Sequence, residues 1–254
     1  MSENLGAVAR RVLPLVDLTS LNDARDDKVA ALCAQAATPA GPVAAVCVWP
    51  RFVTAAVREL AGTGIAVAGV INFPAGGTDE AAAVAEAEQA LSDGARELDL
   101  VMPYRAWLAG EREAARNLIA AVKTVARGRA LLKVILETGA LGPAESIAAA
   151  GRDAIAAGAD FLKTSTGKRQ PGATREAARA MLEVIREAGG GVGFKASGGI
   201  RTTAQAGEYL ALADRVMGPN WATPRTFRFG ASSLLNDVVA QLGHEEAETE
   251  NSKY

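Results

Sequence analysis

The sequence predicts an α/β chain folded as one closed (β/α)8 barrel with an extra N-terminal helix. Three observations predict it. Short apolar, β-branched runs alternate with Ala/Glu/Arg-rich segments of helical character along the chain. Eight such runs can be counted, the number that a closed parallel barrel requires. Finally, the 254 residues, 49% of them hydrophobic, contain no repeat, low-complexity tract or linker, so residues 1–254 read as a single domain. The alternative built on the same alternation is a doubly wound open sheet, whose first and last strands would not pair.

In chain order, residues 25–36 read as the extra helix ahead of a first strand at 44–48. A helix at 50–61 and a strand at 65–71 follow. Residues 78–92 read as a helix because Thr78 precedes Asp79 and Glu80, and acids are favoured at the positive end of a helix. Residues 97–102, 131–136 and 160–163 read as strands, separated by helices at 111–126 and 143–157. Pro143 falls near the first turn of its helix, where the missing N–H costs nothing. A helix at 174–188, a strand at 192–196 and a helix at 202–212 come next. Strands at 215–218 and 228–230 complete the eight, followed by a helix at 232–242 and a polar tail at 245–254.

Composition excludes several classes of function. The net charge of −2 and the absence of a basic cluster interleaved with aromatics argue against nucleic-acid binding. The longest apolar runs, such as 43–49, are too short to cross a bilayer, and Met1 to Arg11 lack the apolar core of a signal peptide. Two cysteines without a CxxC, and one histidine near the C-terminus, argue against a His/Cys metal site. The expectation is a cytoplasmic protein that needs neither metal nor cofactor.

In a barrel, chemistry sits at the C-terminal ends of the strands. Lys163 ends Phe161-Leu162-Lys163 and Lys195 ends Gly193-Phe194-Lys195, one βα unit later. Neighbouring strands with a side-chain period of two would point both amines into one mouth. A lysine is nucleophilic only as the free amine, and its ordinary pKa of about 10.4 leaves little amine at neutral pH. A second cation and partial desolvation both lower that value. Lys163 could then attack a carbonyl and form an iminium, whose electron demand labilises a nearby carbon–carbon bond. The plainer reading is that either lysine snorkels to solvent from a strand end.

Asp99, in Glu97-Leu98-Asp99-Leu100, is a strand carboxylate where an apolar residue is expected. It could carry protons through Lys195 or a water, or it could simply neutralise a lysine. The same spacing predicts a buried Glu97–Lys133 ion pair at the barrel floor. Three segments can offer backbone N–H groups and hydroxyls to an oxyanion. They are Thr164-Ser165-Thr166-Gly167-Lys168, Ser197-Gly198-Gly199-Ile200-Arg201 and Gly230-Ala231-Ser232-Ser233. By the strand count above, the strongest of these signals follow strands six and eight.

These segments resemble the deoxyribose-phosphate aldolase family nearly end to end. The resemblance is also carried by Val16-Asp17-Leu18-Thr19, Val46-Cys47-Val48-Trp49-Pro50, Asn72-Phe73-Pro74 and Lys133-Val134-Ile135-Leu136-Glu137-Thr138-Gly139. It implies reversible cleavage of 2-deoxy-D-ribose 5-phosphate to acetaldehyde and D-glyceraldehyde 3-phosphate through a lysine Schiff base, without a cofactor. It places the Schiff base on Lys163 and proton transfer on Lys195 and Asp99. It assigns Thr166, Gly167, Lys168, Gly198, Gly199, Ser232 and Ser233 to phosphate binding, and Asp17, Thr19 and Cys47 to the substrate pocket. A terminal tyrosine, here Tyr254, folds over the site in some members and assists proton transfer. The family forms monomers, dimers and larger assemblies, so a homodimer is among the partners it allows. Two other readings are a sugar-phosphate isomerase or synthase on the same barrel and a non-catalytic phosphate-binding protein.

Overall fold

The computed structural model describes residues 4–22 and 26–251, the side chains of 26, 27 and 244–251 aside. Eight parallel strands form a closed barrel. They are β1 (Val16–Thr19), β2 (Ala45–Val48), β3 (Ala66–Ile71), β4 (Glu97–Val101), β5 (Leu131–Ile135), β6 (Phe161–Lys163), β7 (Gly193–Ser197) and β8 (Phe227–Ala231). Closure is explicit: β1 pairs with β2 at Asp17↔Ala45 and with β8 at Asp17↔Gly230. That double pairing excludes the open sheet.

Around the strands lie α1 (Leu5–Val12), α2 (Asp26–Ala36), α3 (Val53–Glu59), α4 (Glu80–Ser92), α5 (Arg112–Ala126), α6 (Ala144–Ala156), α7 (Arg175–Glu187), α8 (Thr203–Met217) and α9 (Leu234–Asn251). Their boundaries follow local chemistry. Asp79 caps α4 by accepting from the Ala82 N–H at 2.9 Å, and a Thr202–Gln205 capping box starts α8. On α5 the buried residues Ala115, Leu118, Ile119, Val122 and Ala126 recur at helical spacing, forming the stripe that faces the barrel. Truncating Leu118, which is 1% exposed, to Ala would cost about 2–5 kcal/mol. Among the described residues, no helix is long and apolar enough to cross a membrane.

The strand count is eight as expected, but several elements differ from the sequence reading. Residues 215–218 are not a strand. They close α8, which ends at Met217 with Gly218 as its cap at φ +94°. The capping box and the buried Ala206, Tyr209, Leu210, Leu212 and Ala213 set a helical phase that carries through Arg215 and Val216. The eighth strand is instead Val16–Thr19, at the start of the barrel. The 25–36 helix therefore follows the first strand, and the extra N-terminal helix is α1. Asn4 caps α1, and Arg11 ties it to α8 through both oxygens of Asp214 at 2.9 and 3.0 Å. The last helix extends past residue 242 to Asn251, through most of the stretch read as a polar tail.

Candidate active site

Inside the barrel, alternate residues of each strand point to the axis, and here many of them are charged. Asp17 comes from β1, Glu97 and Asp99 from β4, Lys133 from β5, Lys163 from β6, Lys195 from β7 and Arg228 from β8. All seven are buried. The register places Lys133 beside Asp99, Lys163 beside Lys195 and Lys195 beside Arg228. Two inward glycines leave room for them. A Cβ on Gly193 would enter the ring of Phe161, and one on Gly230 would meet Ser197 Oγ at 2.7 Å and Lys195 Cε at 3.0 Å.

The centre of the site is one carboxylate oxygen. Lys163 Nζ and Lys195 Nζ each donate to Asp99 Oδ2 at 2.7 Å, and Lys133 Nζ donates to Asp99 Oδ1 at 2.9 Å. The two mouth lysines are thus on the same side of the wall and share a single acceptor. Lys133 also bonds Glu97 and lies 3.3 Å from Asp17 Oδ2, while Lys195 donates to Asp17. Below them Arg228 donates to Asp17 Oδ1 and, at 2.8 Å, to Glu97 Oε1. The expected Glu97–Lys133 pair is present. It belongs to a larger network of three carboxylates and four cationic side chains.

That composition ranks the cations by how firmly each is held. Three carboxylates balance three cations in a dry interior, where a surplus charge is costly. Arg228 cannot give up its proton. Lys133 contacts all three carboxylates, Lys195 contacts two, and Lys163 contacts Asp99 alone. Lys163 is therefore the least stabilised of the four cations. The titration directions agree. Burial pushes Lys163 down, Asp99 opposes this, and Lys195 adds to the lowering. Burial also acts against Lys133 and Lys195, but Asp17 and Asp99 outweigh it and raise both. Burial alone would raise Asp17 and Asp99, yet their cationic neighbours hold both well below the usual carboxylate range.

The remaining sequence candidates divide into three groups. Cys47 lies within the barrel on β2 and donates to Asp99 Oδ2 at 3.8 Å; burial, then Asp99, pushes its thiol up to about 11. It is a neutral donor and apolar filler rather than a nucleophile. Thr19 ends β1 and donates to the Asp17 carbonyl at 2.9 Å. Asp17 faces Lys195, Lys133 and Arg228 with both oxygens and so belongs to the charge network.

The oxyanion candidates follow β6, β7 and β8. The sequence count, short of β1, had assigned the strongest of them to strands six and eight. The corrected order puts them after strands seven and eight, the usual place for phosphate in such barrels. Gly167, Gly198 and Gly199 have φ of +76°, +92° and +91°, in the left-handed region open to glycine. Backbone packs on backbone between the first two loops, with Ala173 N–H donating to the Gly198 carbonyl at 2.9 Å. Thr166 donates its hydroxyl to Glu137 Oε2 at 2.6 Å, and Lys168 Nζ donates to the Leu21 carbonyl and Asn22 Oδ1, each at 2.8 Å. Ser232 and Ser233 are exposed immediately before α9. Tyr254 lies outside the described residues.

Sequence reasoning missed Arg228 as a member of the buried charge network. The available signal was its spacing of two from Gly230 on an otherwise apolar strand, which gives it the inward face. Across the chain, the protein-family description "DeoC/LacD family aldolase" matches residues 11–238. A deoxyribose-phosphate aldolase from Agrobacterium fabrum is 49% identical over 249 residues, spanning 97% of this chain and 96% of that one. The structure of a proposed deoxyribose-phosphate aldolase from Toxoplasma gondii ME49 superposes with a TM-score of 0.87 at 28% identity, covering 94% of this chain and 95% of that one. The fold is shared as well with a deoxyribose phosphate aldolase from Aeropyrum pernix, described as tetrameric, at a TM-score of 0.76 and 24% identity over 96% and 98% of the two chains. With a buried lysine pair on neighbouring strands and a match over most of its length, the chain belongs to the DeoC/LacD aldolase family.

Proposed function

We propose that this aldolase reversibly cleaves 2-deoxy-D-ribose 5-phosphate to acetaldehyde and D-glyceraldehyde 3-phosphate, with Lys163 as the Schiff-base lysine. The observation that carries the reading is the sharing of Asp99 Oδ2 by Lys163 and Lys195 inside a buried network with one cation in surplus. The 49% identity to the Agrobacterium fabrum enzyme supports the substrate.

The charge balance supplies an order of proton transfers. The free Lys163 amine adds to C1 of the open-chain sugar, giving a carbinolamine. Loss of its hydroxyl as water needs one proton and creates a cationic iminium, and with that proton drawn from Lys195 the number of positive charges stays at three. Lys195, the cation next least held, releases its proton to that hydroxyl. The resulting Lys195 amine takes the proton of the C3 hydroxyl as the C2–C3 bond breaks. The bonding electrons flow into the iminium, leaving a neutral enamine, and C3 departs as the aldehyde of D-glyceraldehyde 3-phosphate. Lys195 then protonates the enamine carbon, and hydrolysis of the new iminium frees acetaldehyde and Lys163. Asp99 keeps both amines in register throughout.

The loops at Thr166-Gly167-Lys168, Gly198-Gly199 and Ser232-Ser233 are assigned to the phosphate, which they would hold by backbone N–H groups, hydroxyls and the Lys168 ammonium. Thr19 and Cys47 are assigned to the pocket wall. Tyr254 is assigned an assisting role in proton transfer, so its deletion should lower kcat more than it raises KM.

Borohydride reduction in the presence of acetaldehyde tests the reading, followed by mapping of the modified lysine. The expected product is one ethylated lysine, Lys163, in an enzyme that turns over 2-deoxy-D-ribose 5-phosphate. Turnover without any reducible adduct would replace the Schiff base with another lyase or isomerase chemistry.

A further inference from the structure

Of the network members that take no part in the steps of the reaction, Arg228 is the one cation that cannot give up its proton. Arg228 lies on the barrel floor, donating to Asp17, to Glu97 and, from Nε at 2.6 Å, to the Pro224 carbonyl. Phe161 stands 5.9 Å from its guanidinium. We propose that Arg228 is a positioning residue of the aldol reaction: its permanent charge occupies Asp17 and Glu97 from below and so leaves Lys163 as the lysine without a proton. The proposal rests on the Schiff-base reading and extends it to a residue that does not touch substrate.

The groups around Lys163 can be taken strand by strand. Asp99 of β4, Lys195 of β7, Lys133 of β5 and the Cys47 thiol of β2 act on it directly or through the shared carboxylate. Asp17 of β1, Glu97 of β4 and Arg228 of β8 lie behind these and complete the network. Glu137, beyond the end of β5, is engaged by the N–H and hydroxyl of Thr166 and is not joined to the network. With Arg228 present, four cations compete for three carboxylates. Without it, three lysines face three carboxylates, and all three can stay protonated with no surplus charge. Lys163 would then hold its proton, and the free amine would appear only at higher pH. Removing Glu97 has the opposite sense, because two carboxylates would face four cations.

The rate of borohydride trapping of acetaldehyde on Lys163, followed against pH, reads the amine without requiring turnover. In Arg228→Gln the midpoint of that profile is expected to rise by about one pH unit or more, an approximately tenfold loss of trapping rate below the midpoint. Arg228→Lys keeps the charge and should follow the parent profile. The double variant Arg228→Gln/Glu97→Gln removes one charge of each sign and should return to the parent profile, a rescue that a merely structural role would not produce. A folded Arg228→Gln with an unmoved midpoint, or a double variant that stays shifted, overturns the proposal. Should Arg228→Gln fail to fold, Glu97→Gln decides alone: its midpoint must fall, and an unmoved or raised one overturns the proposal. A parent protein that yields no modified Lys163 overturns the Schiff-base reading and this inference with it. A parent that traps normally beside an Arg228→Gln with the same profile overturns only the role of Arg228.

Discussion

Replacing Asp99 by Asn tests the centre of the site with little change of shape. The carboxylate is buried and accepts from Lys163, Lys195 and Lys133 at 2.7, 2.7 and 2.9 Å. The amide keeps one acceptor oxygen and presents an N–H2 to lysines that have only donors to offer. Breaking a buried, hydrogen-bonded ion pair costs about 3–5 kcal/mol. With an unfolding entropy near 2.1 cal/mol/K per residue, a 254-residue chain loses roughly 2 °C per kcal/mol, so Tm should fall by about 6–10 °C. Lys163 loses its one carboxylate partner, so its amine should be freer and iminium formation should persist. Turnover should nevertheless drop by about 10²–10⁴-fold, the usual worth of positioned proton transfer. Differential scanning calorimetry reads the first effect, and borohydride trapping beside sugar-phosphate turnover separates the other two. A Tm within 1–2 °C of the parent, roughly 1 kcal/mol or less, would show that Asp99 does not hold three cations. Turnover within about tenfold would show that it does not organise proton transfer.

Three further outcomes follow from the same geometry. Lys163→Met removes the side chain that folding must strip of its proton, so the protein should melt higher at pH 7 and lose trapping. Because the folded state lowers the pKa of Lys163, its destabilising effect is present below the unfolded value of about 10.4 and disappears above it, and so should the gain in Tm; a Tm below the parent at pH 7 would contradict the charge balance. Asp17 and Asp99 are held low in the fold, so their stabilisation is complete above the unfolded carboxylate value of about 3.9 and is lost only as pH falls through their lower folded values. Tm should therefore be level from about pH 7 to 5 and decline below about 4, and a decline that begins near neutrality would point to other groups. Gly193→Ala drives a methyl group into the Phe161 ring and should cost about 1–3 kcal/mol by overpacking, measured in urea titrations; an unchanged midpoint would mean that the ring is not seated there.

Much of this arrangement could be read from the chain. Lys163, Lys195 and Asp99 stand at positions where a buried strand should carry apolar residues, and a period of two brings Glu97 and Lys133 to the same face. What misled the reading was local. Val16-Asp17-Leu18-Thr19 has only two apolar residues, because Asp17 is given to the charge network and Thr19 is polar as well, so it did not stand out as a strand. Arg215-Val216-Met217-Gly218 looked like one because an apolar run as short as Val216-Met217 cannot show whether it continues a helix. The barrel type was still recovered, since one omission and one false strand left the number at eight. Arg228 was missed for a different reason. Its partners are Asp17 on the adjacent β1, the strand missing from the sequence reading, and Glu97 on β4 across the lumen, and no periodicity along one strand reports what lies on the far wall.

The same cross-lumen dependence links register to reactivity. A slip of one residue in any of the charged strands would turn its ionic side chain outward and change the count of cations and carboxylates facing inward. Loss of Asp17 would leave two carboxylates against four cations; loss of Arg228 would leave Lys163 with no reason to be neutral. The packing that holds each register is therefore also what sets the amine. Phe161 fills the space that Gly193 leaves, and Ser197 fills the space beside Gly230, on the strands that carry Lys163, Lys195 and Arg228. A substitution at Gly193 or Gly230 should consequently shift the pH profile of trapping as well as the melting temperature. Variants that lose stability with an unchanged profile would separate the two properties and show that the charge count survives changes in register packing.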